Sequence, residues 1–538
     1  MKKYIIGYDI GGTKSTAVLA DVHDGIVIID RLQFPTPFGY PNTKKLLIEE
    51  SYELLKKHSL LISDVIAVGI SCGGPLDGNK GIILSPPNLP GWDDIRICED
   101  ITNELGVPAY LEHDANACAL VEWKLGAGRG TENMMFLTMG TGFGAGIITE
   151  GSLLIGASYM AGEIGHIRLK ETGPEGFGKF GSIEGFCSGA GIAKQAVEYT
   201  KSKLTGTESG KVPKWISDGV KIEDITTKII AEYAHAGDPD AVEIINMIGE
   251  NLGNALSIFI DAFNPECIVI GSIFVRCEKF LRPAMQRAID KEALNHSSNV
   301  CEIRPAQTGE SLGDLASILA ACYKLGLDSS PFEIKKPVIK HYDRLFERFP
   351  QLDPLKEKIM YMFKTIARSY HNGGKLLVCG NGGSAADADH IVGELMKGFY
   401  KNRELNKELK DRFNALGSKL QGALPAISLT QHTALSTAFA NDEDPSVVFA
   451  QQVYGYGSRG DILIGISTSG NSANVINAIK VAKIKGMITI GLTGEKPSEM
   501  TRHCDICIDV PAHVTAEIQE LHLPIYHTLC AMLEEEFF

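Results

Sequence analysis

Two kinds of glycine-rich turn lie more than three hundred residues apart in this chain, and they constrain how it can fold. The first, at residues 9–14, connects two short β-rich runs, so the backbone must reverse there. The second kind, at residues 380–384 and 467–472, follows a strand and opens a helix, as phosphate-binding turns of parallel sheets do. The two contexts belong to different sheet architectures, so we expect at least two domains of different construction.

Bulk properties limit the classes of function. A chain of 538 residues is too long for one hydrophobic core, and its 44% hydrophobic and 22% charged residues are those of a globular protein. The formal charge of −14 disfavours nucleic acid as a partner, because its phosphates would be repelled. No stretch approaches the ~20 apolar residues of a membrane span. Asp9 interrupts the basic and apolar start, and the 12 cysteines lie in apolar contexts, so we expect a cytoplasmic protein with reduced thiols.

The order of apolar runs predicts two domains and a linker. Residues 4–150 alternate β-rich runs with turns, and helices dominate the region that follows. We assign residues 1–326 to a first domain and the polar, Lys-rich stretch 327–340 to a linker. Residues 341–538 alternate apolar strands with helices, which is typical of a parallel sheet buried on both faces. Within them, the charged segment 401–420 is interpreted as a helical insertion rather than a sheet element.

A further glycine-rich turn, at residues 140–146, again lies between two predicted strands. A lone Gly-Gly-Thr turn is more often a plain hairpin. Two such turns, one in each of two related lobes, suit a nucleotide held in the cleft between the lobes. Asp9 is placed to act on Mg²⁺ directly or through water, because hard cations prefer oxygen ligands.

Asp114 follows a predicted strand and begins a helix, where a lone Asp is more often an N-cap, and residues 161–166 alone would suit a surface turn. Taken together, however, the motifs of residues 3–325 resemble the ROK family of sugar kinases. The resemblance implies an α/β, actin-like (ribonuclease-H-like) two-lobed fold. The motifs that carry it are residues 9–14, 73–75, 87–92, 114–117, 140–146, 163–166, 264–266 and 270–271.

The ROK resemblance implies ATP-dependent phosphorylation of a sugar, with Mg²⁺ as cofactor. Asp114 would receive the proton of the attacking sugar hydroxyl, and most of the catalysis would come from positioning and charge stabilisation. The residues implied in binding ATP are Asp9, Gly11, Gly12, Thr13, Lys14, Gly140, Thr141, Gly142 and Gly271. Those implied in binding the sugar are Gly74, His113, Glu163, His166 and Glu184.

Two departures from the family pattern bear on activity. His113 stands where the family commonly has Asn, and a bulkier ring beside the acceptor should change which sugar fits. Glu175, Phe177 and Ser182 stand where the family's zinc motif supplies cysteines, so we expect no structural zinc in this domain. These losses leave a degenerate kinase open as an alternative. ROK repressors carry a helix-turn-helix module ahead of the core, and the early position of Asp9 argues against that class.

The downstream domain carries two Ser-rich turns. Hydroxyls and free N–H groups at helix N-termini, at the carboxyl ends of parallel strands, form an anion site. Helix N-capping is the simpler explanation for one turn, but two turns of this composition favour phosphate. His390 and Glu394 are four residues apart and hence on one helix face, and Gln519 and His527 are eight apart, about two turns. Such a His/Glu pair does not by itself indicate a metal.

Residues 340–538 resemble the phosphoheptose isomerases, whose SIS fold is a doubly wound parallel sheet. The shared motifs are residues 380–384, 390, 394, 441–442, 467–472, 492–494, 518–520, 522 and 527. The resemblance implies that Glu394 and His527 shuttle a proton between adjacent carbons through an enediol. The residues implied in sugar-phosphate binding are Asn381, Gly382, Gly383, Ser384, Asp442, Ser467, Thr468, Ser469, Ser472 and Gln519. In zinc-containing members the metal ligands would be His390, Glu394, Gln519 and His527.

The sequence thus predicts a bifunctional enzyme, in which a sugar kinase is fused to an aldose–ketose isomerase that interconverts sedoheptulose 7-phosphate and a manno-heptose 7-phosphate. An Arg of the isomerase family is absent at Lys397-Gly398-Phe399, which makes heptose specificity less secure than isomerisation. The alternative is a sugar kinase regulated by a SIS domain that senses a sugar phosphate without turnover, although a sensor needs neither Glu394 nor His527. A decayed kinase domain that serves oligomerisation is a third reading. By resemblance we expect a homo-oligomer, either a dimer or a tetramer.

Overall fold

The computed structural model describes residues 4–23, 25–205, 212–327, 332 and 334–538. The chain divides into two compact units, residues 1–331 and 332–538. The predicted linker 327–340 falls partly on residues 328–331 and 333, which lie outside the described residues. No helix in the described part of the chain has both the length and the apolar character needed to cross a membrane.

The first lobe of the first unit is built on a five-stranded sheet with the order β3-β2-β1-β4-β5. Its first three strands pair antiparallel, and the last two continue the sheet in parallel. The strands are β1 (Tyr4–Ile10), β2 (Lys14–Asp21), β3 (Val27–Pro35), β4 (Val65–Cys72) and β5 (Ala109–His113). The helices of this lobe are α1 (Tyr40–Lys57), α2 (Ile97–Leu105) and α3 (Asp114–Lys124).

The second lobe repeats this strand pattern in the order β8-β7-β6-β9-β10, with β6–β8 antiparallel and β9 and β10 parallel. The strands are β6 (Met134–Met139), β7 (Phe143–Thr149), β8 (Ser152–Leu153), β9 (Cys267–Ile270) and β10 (Glu302–Pro305). The helices are α4 (Ile183–Cys187), α5 (Gly189–Thr205), α6 (Thr227–His235), α7 (Pro239–Phe263) and α8 (Ile273–Glu292), and the last helix of the unit is α9 (Leu312–Leu325). The repeated pattern confirms the predicted actin-like, two-lobed fold.

Helix α9 packs on β1 and β4 of the first lobe. A Cβ added at Gly69 would lie 1.9 Å from the carbonyl oxygen of Ser317, so only glycine allows this approach. Shorter elements complete the unit. They are the two-residue strands Leu76–Asp77, Ile82–Ile83, Glu175–Gly176 and Lys179–Phe180, and the one-turn helices Lys214–Ser217 and Asn295–Ser298.

The second unit is a five-stranded, fully parallel sheet with the order β12-β11-β13-β14-β15 and helices on both faces. The strands are β11 (Leu376–Gly380), β12 (Ala426–Ser428), β13 (Ile462–Ile466), β14 (Ile488–Gly494) and β15 (Ile506–Val510). The helices are α10 (Lys336–Arg348), α11 (Lys356–His371), α12 (Gly383–Met396), α13 (Lys407–Phe413), α14 (Thr433–Asp442), α15 (Val448–Tyr456), α16 (Ala473–Ile484), α17 (Glu499–His503) and α18 (Thr515–Phe537). Every residue of β11 and β13 is buried, because separate apolar clusters cover the two faces of the sheet. This confirms the predicted doubly wound sheet; of the insertion 401–420, α13 alone is α-helical.

Candidate active sites

The glycine-rich turns of the first unit are tight hairpin turns, one in each lobe. In the β1–β2 turn the N–H of Gly11 donates to the carbonyl of Lys14 at 3.1 Å. In the β6–β7 turn the N–H of Gly140 donates to the carbonyl of Gly142, also at 3.1 Å. Exposed positions in the two turns are Gly12, Thr13, Lys14 and Thr141, and Gly271 is buried directly after β9. Both turns therefore present backbone to a ligand.

Asp9, the last residue but one of β1, lies in a cluster of carboxylates. Burial raises the pKa of Asp9 to about 6, with further contributions from the charges of Asp114 and Asp314. Lys14 and Arg31 oppose the shift, and Arg31 forms an ion pair with Asp314 at 3.2 Å. Negative potential is therefore concentrated at the end of β1, although among the described residues these carboxylates are not arranged as a metal site.

Asp114 is the first residue of α3, and its neighbour His113 is the N-cap. The Oδ1 atom of Asp114 accepts a hydrogen bond from the N–H of Ala115 at 2.6 Å and lies 3.2 Å from Nδ1 of His113. The side chain of Asp114 is 55% exposed, so a substrate hydroxyl can reach it. A Cβ added at Gly74 would lie 2.7 Å from the ring carbon Cδ2 of His113. The ring of His113 therefore forms the wall between Gly74 and Asp114.

Glu112 is a residue of this site that sequence reasoning missed. Its carboxylate is buried and accepts hydrogen bonds from the N–H of His113 at 3.0 Å and the side-chain amide of Asn116 at 3.0 Å. The hydroxyl of Tyr159 donates to its second oxygen at 2.8 Å, and the ammonium of Lys324 lies 3.9 Å from that oxygen. The network fixes the junction of β5 and α3. A charged residue inside an otherwise apolar strand is the signal that could have found it.

Strand β7 supports the predicted sugar-binding residue Glu184. The Oε2 atom of Glu184 accepts a hydrogen bond from the N–H of Phe143 at 3.1 Å, at the start of β7. Helix α3, which begins with Asp114, packs on the same strand. Glu184 and the helix that begins with Asp114 therefore both contact β7.

The loop 162–166 carries two more of the predicted sugar-binding residues, Glu163 and His166. It is attached to β7 by a hydrogen bond from the N–H of Ala145 to the carbonyl of Gly162, at 3.2 Å. The side chains of Glu163 and His166 project from this loop and are exposed. They are accessible to a ligand on the β7 side of the second lobe.

The positions that the family's zinc motif fills with cysteines have other contacts here. Glu175 begins a two-residue strand, and Phe177 is 72% exposed. The ring of His166 packs edge-on against Phe177, with 6.4 Å between the centroids. The hydroxyl of Ser182 accepts a hydrogen bond from the N–H of Gly185 at 3.1 Å and so caps α4. The three positions thus support a hairpin, an aromatic contact and a helix cap.

The Ser-rich turns of the second unit lie at the carboxyl ends of the neighbouring strands β11 and β13. Ser384 and Ser467 are buried, and Thr468 is half-buried. The Oγ atom of Ser467 lies 2.9 Å from Oγ of Ser472 and 3.4 Å from Oγ of Ser469. Together with the N-termini of α12 and α16, these gathered hydroxyls form a site suited to a phosphate.

The two turns are tied together by side-chain amides. The amides of Asn381 and Asn474 donate to each other's carbonyl oxygens, and both bonds are 2.9 Å long. Gly382 and Gly383 open α12, and a Cβ added at Gly383 would lie 2.3 Å from Nε2 of Gln519. The structure therefore brings Gln519 to the turn that precedes Ser384.

Helix α12, which begins at this turn, also carries His390 and Glu394. The Nε2 atom of His390 lies 3.3 Å from Oε1 of Glu394 and 3.5 Å from Nε2 of His527 on α18. Lys397 contacts Oε2 of Glu394 at 3.1 Å. Burial lowers the pKa of His527 and the neighbouring His390 lowers it further, whereas Glu394 opposes the shift. The neutral imidazole of His527 can then exchange a proton with a substrate oxygen.

Behind His390 lies a second hydrogen-bonded group that the sequence did not reveal. The hydroxyl of the buried Tyr526 donates to Oδ1 of Asp387 at 3.1 Å and lies 3.2 Å from Nδ1 of His390. In the tautomer of His390 with the proton on Nδ1, this N–H donates to the Tyr526 oxygen, because the hydroxyl proton is directed at the carboxylate. The Nε2 lone pair of His390 then faces Glu394 and His527, as in a metal-ligating histidine with a second-layer partner.

Two predicted residues lie away from the histidine pair. Gln519 and His527 are eight residues apart on α18, about 12 Å along its axis. Asp442 is the last residue of α14, no residue of which is buried. Within the described ranges, no group of three or more His, Cys, Asp or Glu side chains could hold a metal ion as it stands. A metal between His390 and His527 therefore needs side-chain movement or a further ligand.

Comparison with known proteins gives a match for each unit. The sequence model of the ROK family matches residues 5–321, and that of the SIS domain matches residues 341–494. A glucokinase of Halalkalibacterium halodurans is 32% identical over 317 residues, which are 58% of this chain and 92% of that protein. A phosphoheptose isomerase of Aneurinibacillus thermoaerophilus is 41% identical over 186 residues, which are 34% of this chain and 85% of that protein.

Among solved structures, a ROK family transcriptional regulator, a homologue of the E. coli MLC protein, matches with a TM-score of 0.52 at 22% identity. The match covers 60% of this chain and 79% of that chain, and at this identity it shows the fold alone. ROK proteins thus include regulators as well as sugar kinases. The chain belongs to the ROK family, and its C-terminal part is a SIS domain like that of the phosphoheptose isomerases.

Proposed function

We propose that this chain is a bifunctional enzyme of sugar metabolism. The first unit phosphorylates a sugar with ATP, and the second isomerises a sugar phosphate, most simply sedoheptulose 7-phosphate to a manno-heptose 7-phosphate. Similarity to a glucokinase and to phosphoheptose isomerases supports the two reaction classes. The observation that carries the proposal is that one helix, α12, begins at the Ser384 turn and carries Glu394 in its last turn, where Glu394 is joined through His390 to His527.

In the kinase reaction, the sugar hydroxyl transfers its proton to Asp114 as its oxygen attacks the terminal phosphorus of ATP. The backbone of the two hairpin turns holds the phosphates, and Asp9 would hold Mg²⁺ directly or through water. Glu163, His166 and Glu184 bind hydroxyls of the sugar. The buried Glu112 keeps Asp114 oriented, because its carboxylate accepts a hydrogen bond from the N–H of His113, the residue before Asp114.

In the isomerase reaction, the Ser-rich turns bind the phosphate and direct the carbonyl end of the sugar toward α12. The carboxylate of Glu394 removes a proton from the carbon next to the carbonyl and returns it to the neighbouring carbon of the enediol. The imidazole of His527 exchanges a proton with the two oxygens. The result is an aldose in place of a ketose, with no net change of atoms.

The histidine pair fits a zinc ion. The Nε2 atoms of His390 and His527 are 3.5 Å apart, close to the ~3.4 Å between two nitrogen ligands bound to a tetrahedral zinc at about 2.1 Å. Of the other ligands that the family resemblance implies, Glu394 lies beside His390, whereas Gln519 lies about 12 Å from His527 along α18. Zinc would polarise the carbonyl oxygen of the substrate.

The assembly and location of the chain are also part of the proposal. A helix of this length is not stable in water without packing, yet α14 buries none of its ten residues. Tyr454 on the next helix is 65% exposed. We expect a second copy of the chain to cover α14, in a dimer or tetramer that places Asp442 at a subunit boundary. All 12 cysteines are free, which supports a cytoplasmic location.

The proposal is tested by assigning each reaction to its unit. NMR should show that the full-length chain converts sedoheptulose 7-phosphate, and that Glu394→Gln abolishes the conversion with an unchanged melting temperature. A coupled assay over a panel of sugars should show ADP release that Asp114→Asn abolishes. Each variant is the control for the other, because Asp114→Asn should keep the isomerase and Glu394→Gln the kinase. Loss of both reactions in one variant, or of neither, contradicts the assignment.

A second candidate is a sugar kinase regulated by a SIS domain that binds a sugar phosphate without turnover. It is favoured by the pairing of Glu394 with Lys397 at 3.1 Å and with His390 at 3.3 Å, which occupies the base. A kinase rate that responds to sedoheptulose 7-phosphate, with no conversion of that sugar, would support the sensor.

A further inference from the structure

An ion pair between Arg403 and Glu534 lies entirely inside the second unit and has no place in the reactions described above. The two side chains are 0% and 1% exposed, and Nε of Arg403 lies 2.7 Å from Oε1 of Glu534. Burying two charges is costly, and a buried pair often stabilises no more than apolar residues of the same size would. Stability alone is therefore a weak reason for this pair, and its remaining hydrogen bonds indicate another.

The guanidinium of Arg403 holds the last turn of α12. One terminal nitrogen donates to the carbonyl of Leu395 at 2.7 Å, and the other donates to the carbonyl of Glu394 at 2.8 Å. The last four carbonyls of a helix have no partner within the helix, and a cation at this end is favoured by the helix dipole. Arg403 thus fixes the backbone of the residue that we propose as the catalytic carboxylate.

Glu534 holds the segment that follows this helix. Its Oε1 atom also accepts the N–H of Phe399 at 2.7 Å, and its Oε2 atom accepts the N–H of Tyr400 at 2.7 Å and of Lys401 at 3.0 Å. Glu534 lies on α18, seven residues and about two turns after His527. The ion pair therefore connects the helix of His527 to the helix of Glu394.

We propose that Arg403 and Glu534 are positioning residues, which hold Glu394 at the correct distance from His527 for proton transfer. The inference rests on the proposed isomerase function. Reacting groups must be placed closely, and a displacement of about 1 Å costs ~100-fold in rate. The forked donor of Arg403 is essential to this role, because the ammonium of a lysine can keep the ion pair but cannot reach both carbonyls at once.

The test is Arg403→Lys, which preserves the charge. We expect its isomerase kcat to fall ten- to a hundredfold, with KM for sedoheptulose 7-phosphate within about threefold of the unsubstituted chain. Ile479→Val, in the apolar core on the other face of the sheet, is the control for stability, since it removes one buried methyl group far from the pair. Arg412→Lys, at a side chain that is 74% exposed, is the control for the replacement of an arginine by a lysine.

The two controls separate positioning from stability. The proposal requires that Arg403→Lys lose much more kcat than Ile479→Val when the melting temperatures of the two variants are equal or nearly so. Should Arg403→Lys be too unstable to purify, Glu534→Gln keeps an acceptor for the backbone and is compared with Ile479→Val in the same way. A kcat for these variants no lower than that of Ile479→Val overturns the proposal. A full-length parent chain that does not isomerise the sugar phosphate refutes instead the function on which it rests.

Discussion

Replacing Asp9 with Asn should stabilise the ion-free protein and remove the kinase activity that we propose for it. The carboxylate of Asp9 is partly buried beside Asp114 and Asp314, and its pKa is raised from 3.8 to about 6, first by burial and then by these charges. A site that is poised to bind a cation is under electrostatic strain while the cation is absent. The amide of Asn carries no charge, so the substitution removes this strain together with the proposed Mg²⁺ ligand.

The size of the expected gain in stability follows from the raised pKa of Asp9. A rise from 3.8 to about 6 corresponds, at 1.36 kcal/mol per unit, to about 3 kcal/mol of unfavourable free energy in the charged state. Because the side chain retains some access to water, we expect about 1–3 kcal/mol to be measured. The pKa of this acid is higher in the folded than in the unfolded state. The penalty is therefore complete above about pH 6, falls to roughly half near pH 5, and vanishes below the unfolded value of 3.8.

The assay is calorimetric unfolding of the parent chain and the Asp9→Asn variant without Mg²⁺ or ATP, at pH 8 and pH 5. The transition of the first unit should move up by several degrees at pH 8, and by about half as much at pH 5. Asp224→Asn, at an exposed carboxylate of the same unit, should move it little at either pH. A lower transition temperature for Asp9→Asn at pH 8, or the same increase at both pH values, would refute the reasoning.

Three further predictions concern single side chains. Tyr526→Phe removes the hydroxyl that orients His390, so zinc affinity, measured by competition with a chromophoric chelator, should fall ten- to a hundredfold while the melting temperature is kept; an unchanged affinity would contradict this. Ser467→Ala removes one of the proposed phosphate donors, so KM for the sugar phosphate should rise about tenfold with kcat nearly constant in initial-rate measurements; a selective loss of kcat would argue against phosphate binding there. His113→Asn opens the wall between Gly74 and Asp114, so the ranking of kcat/KM over a sugar panel should change; the same ranking for both proteins would exclude His113 from specificity.

Much of the fold could be predicted from the sequence, because local signals and long-range packing agree. Helix α7 carries clear sequence signals at both of its ends. Its N-cap is Asp238, Pro239 occupies its first turn, and Asn264 adopts the left-handed conformation after its last residue. The strand Ile462–Ile466 is likewise readable from its sequence, since an apolar run between two polar turns fits a strand buried on both faces.

The connections that orient the candidate sites could not be predicted in this way. Glu112 contacts Tyr159, and Arg403 contacts Glu534, across 47 and 131 residues. A sequence shows that a charged residue lies in an apolar stretch, but only the fold decides which distant group satisfies it. The same applies to α14, whose composition resembles that of a packed helix although none of its residues is fully buried within its own chain.

The most direct test of the account is deuterium uptake from D₂O into sedoheptulose 7-phosphate, followed by mass spectrometry. If Glu394 passes a proton between neighbouring carbons and exchanges part of it with solvent while the enediol is present, the parent chain and Asp114→Asn should both form aldose and incorporate solvent deuterium at carbon, and Glu394→Gln should do neither. A parent chain that neither forms aldose nor incorporates deuterium, or equal incorporation by Glu394→Gln, would contradict the assignment of the second unit as an isomerase.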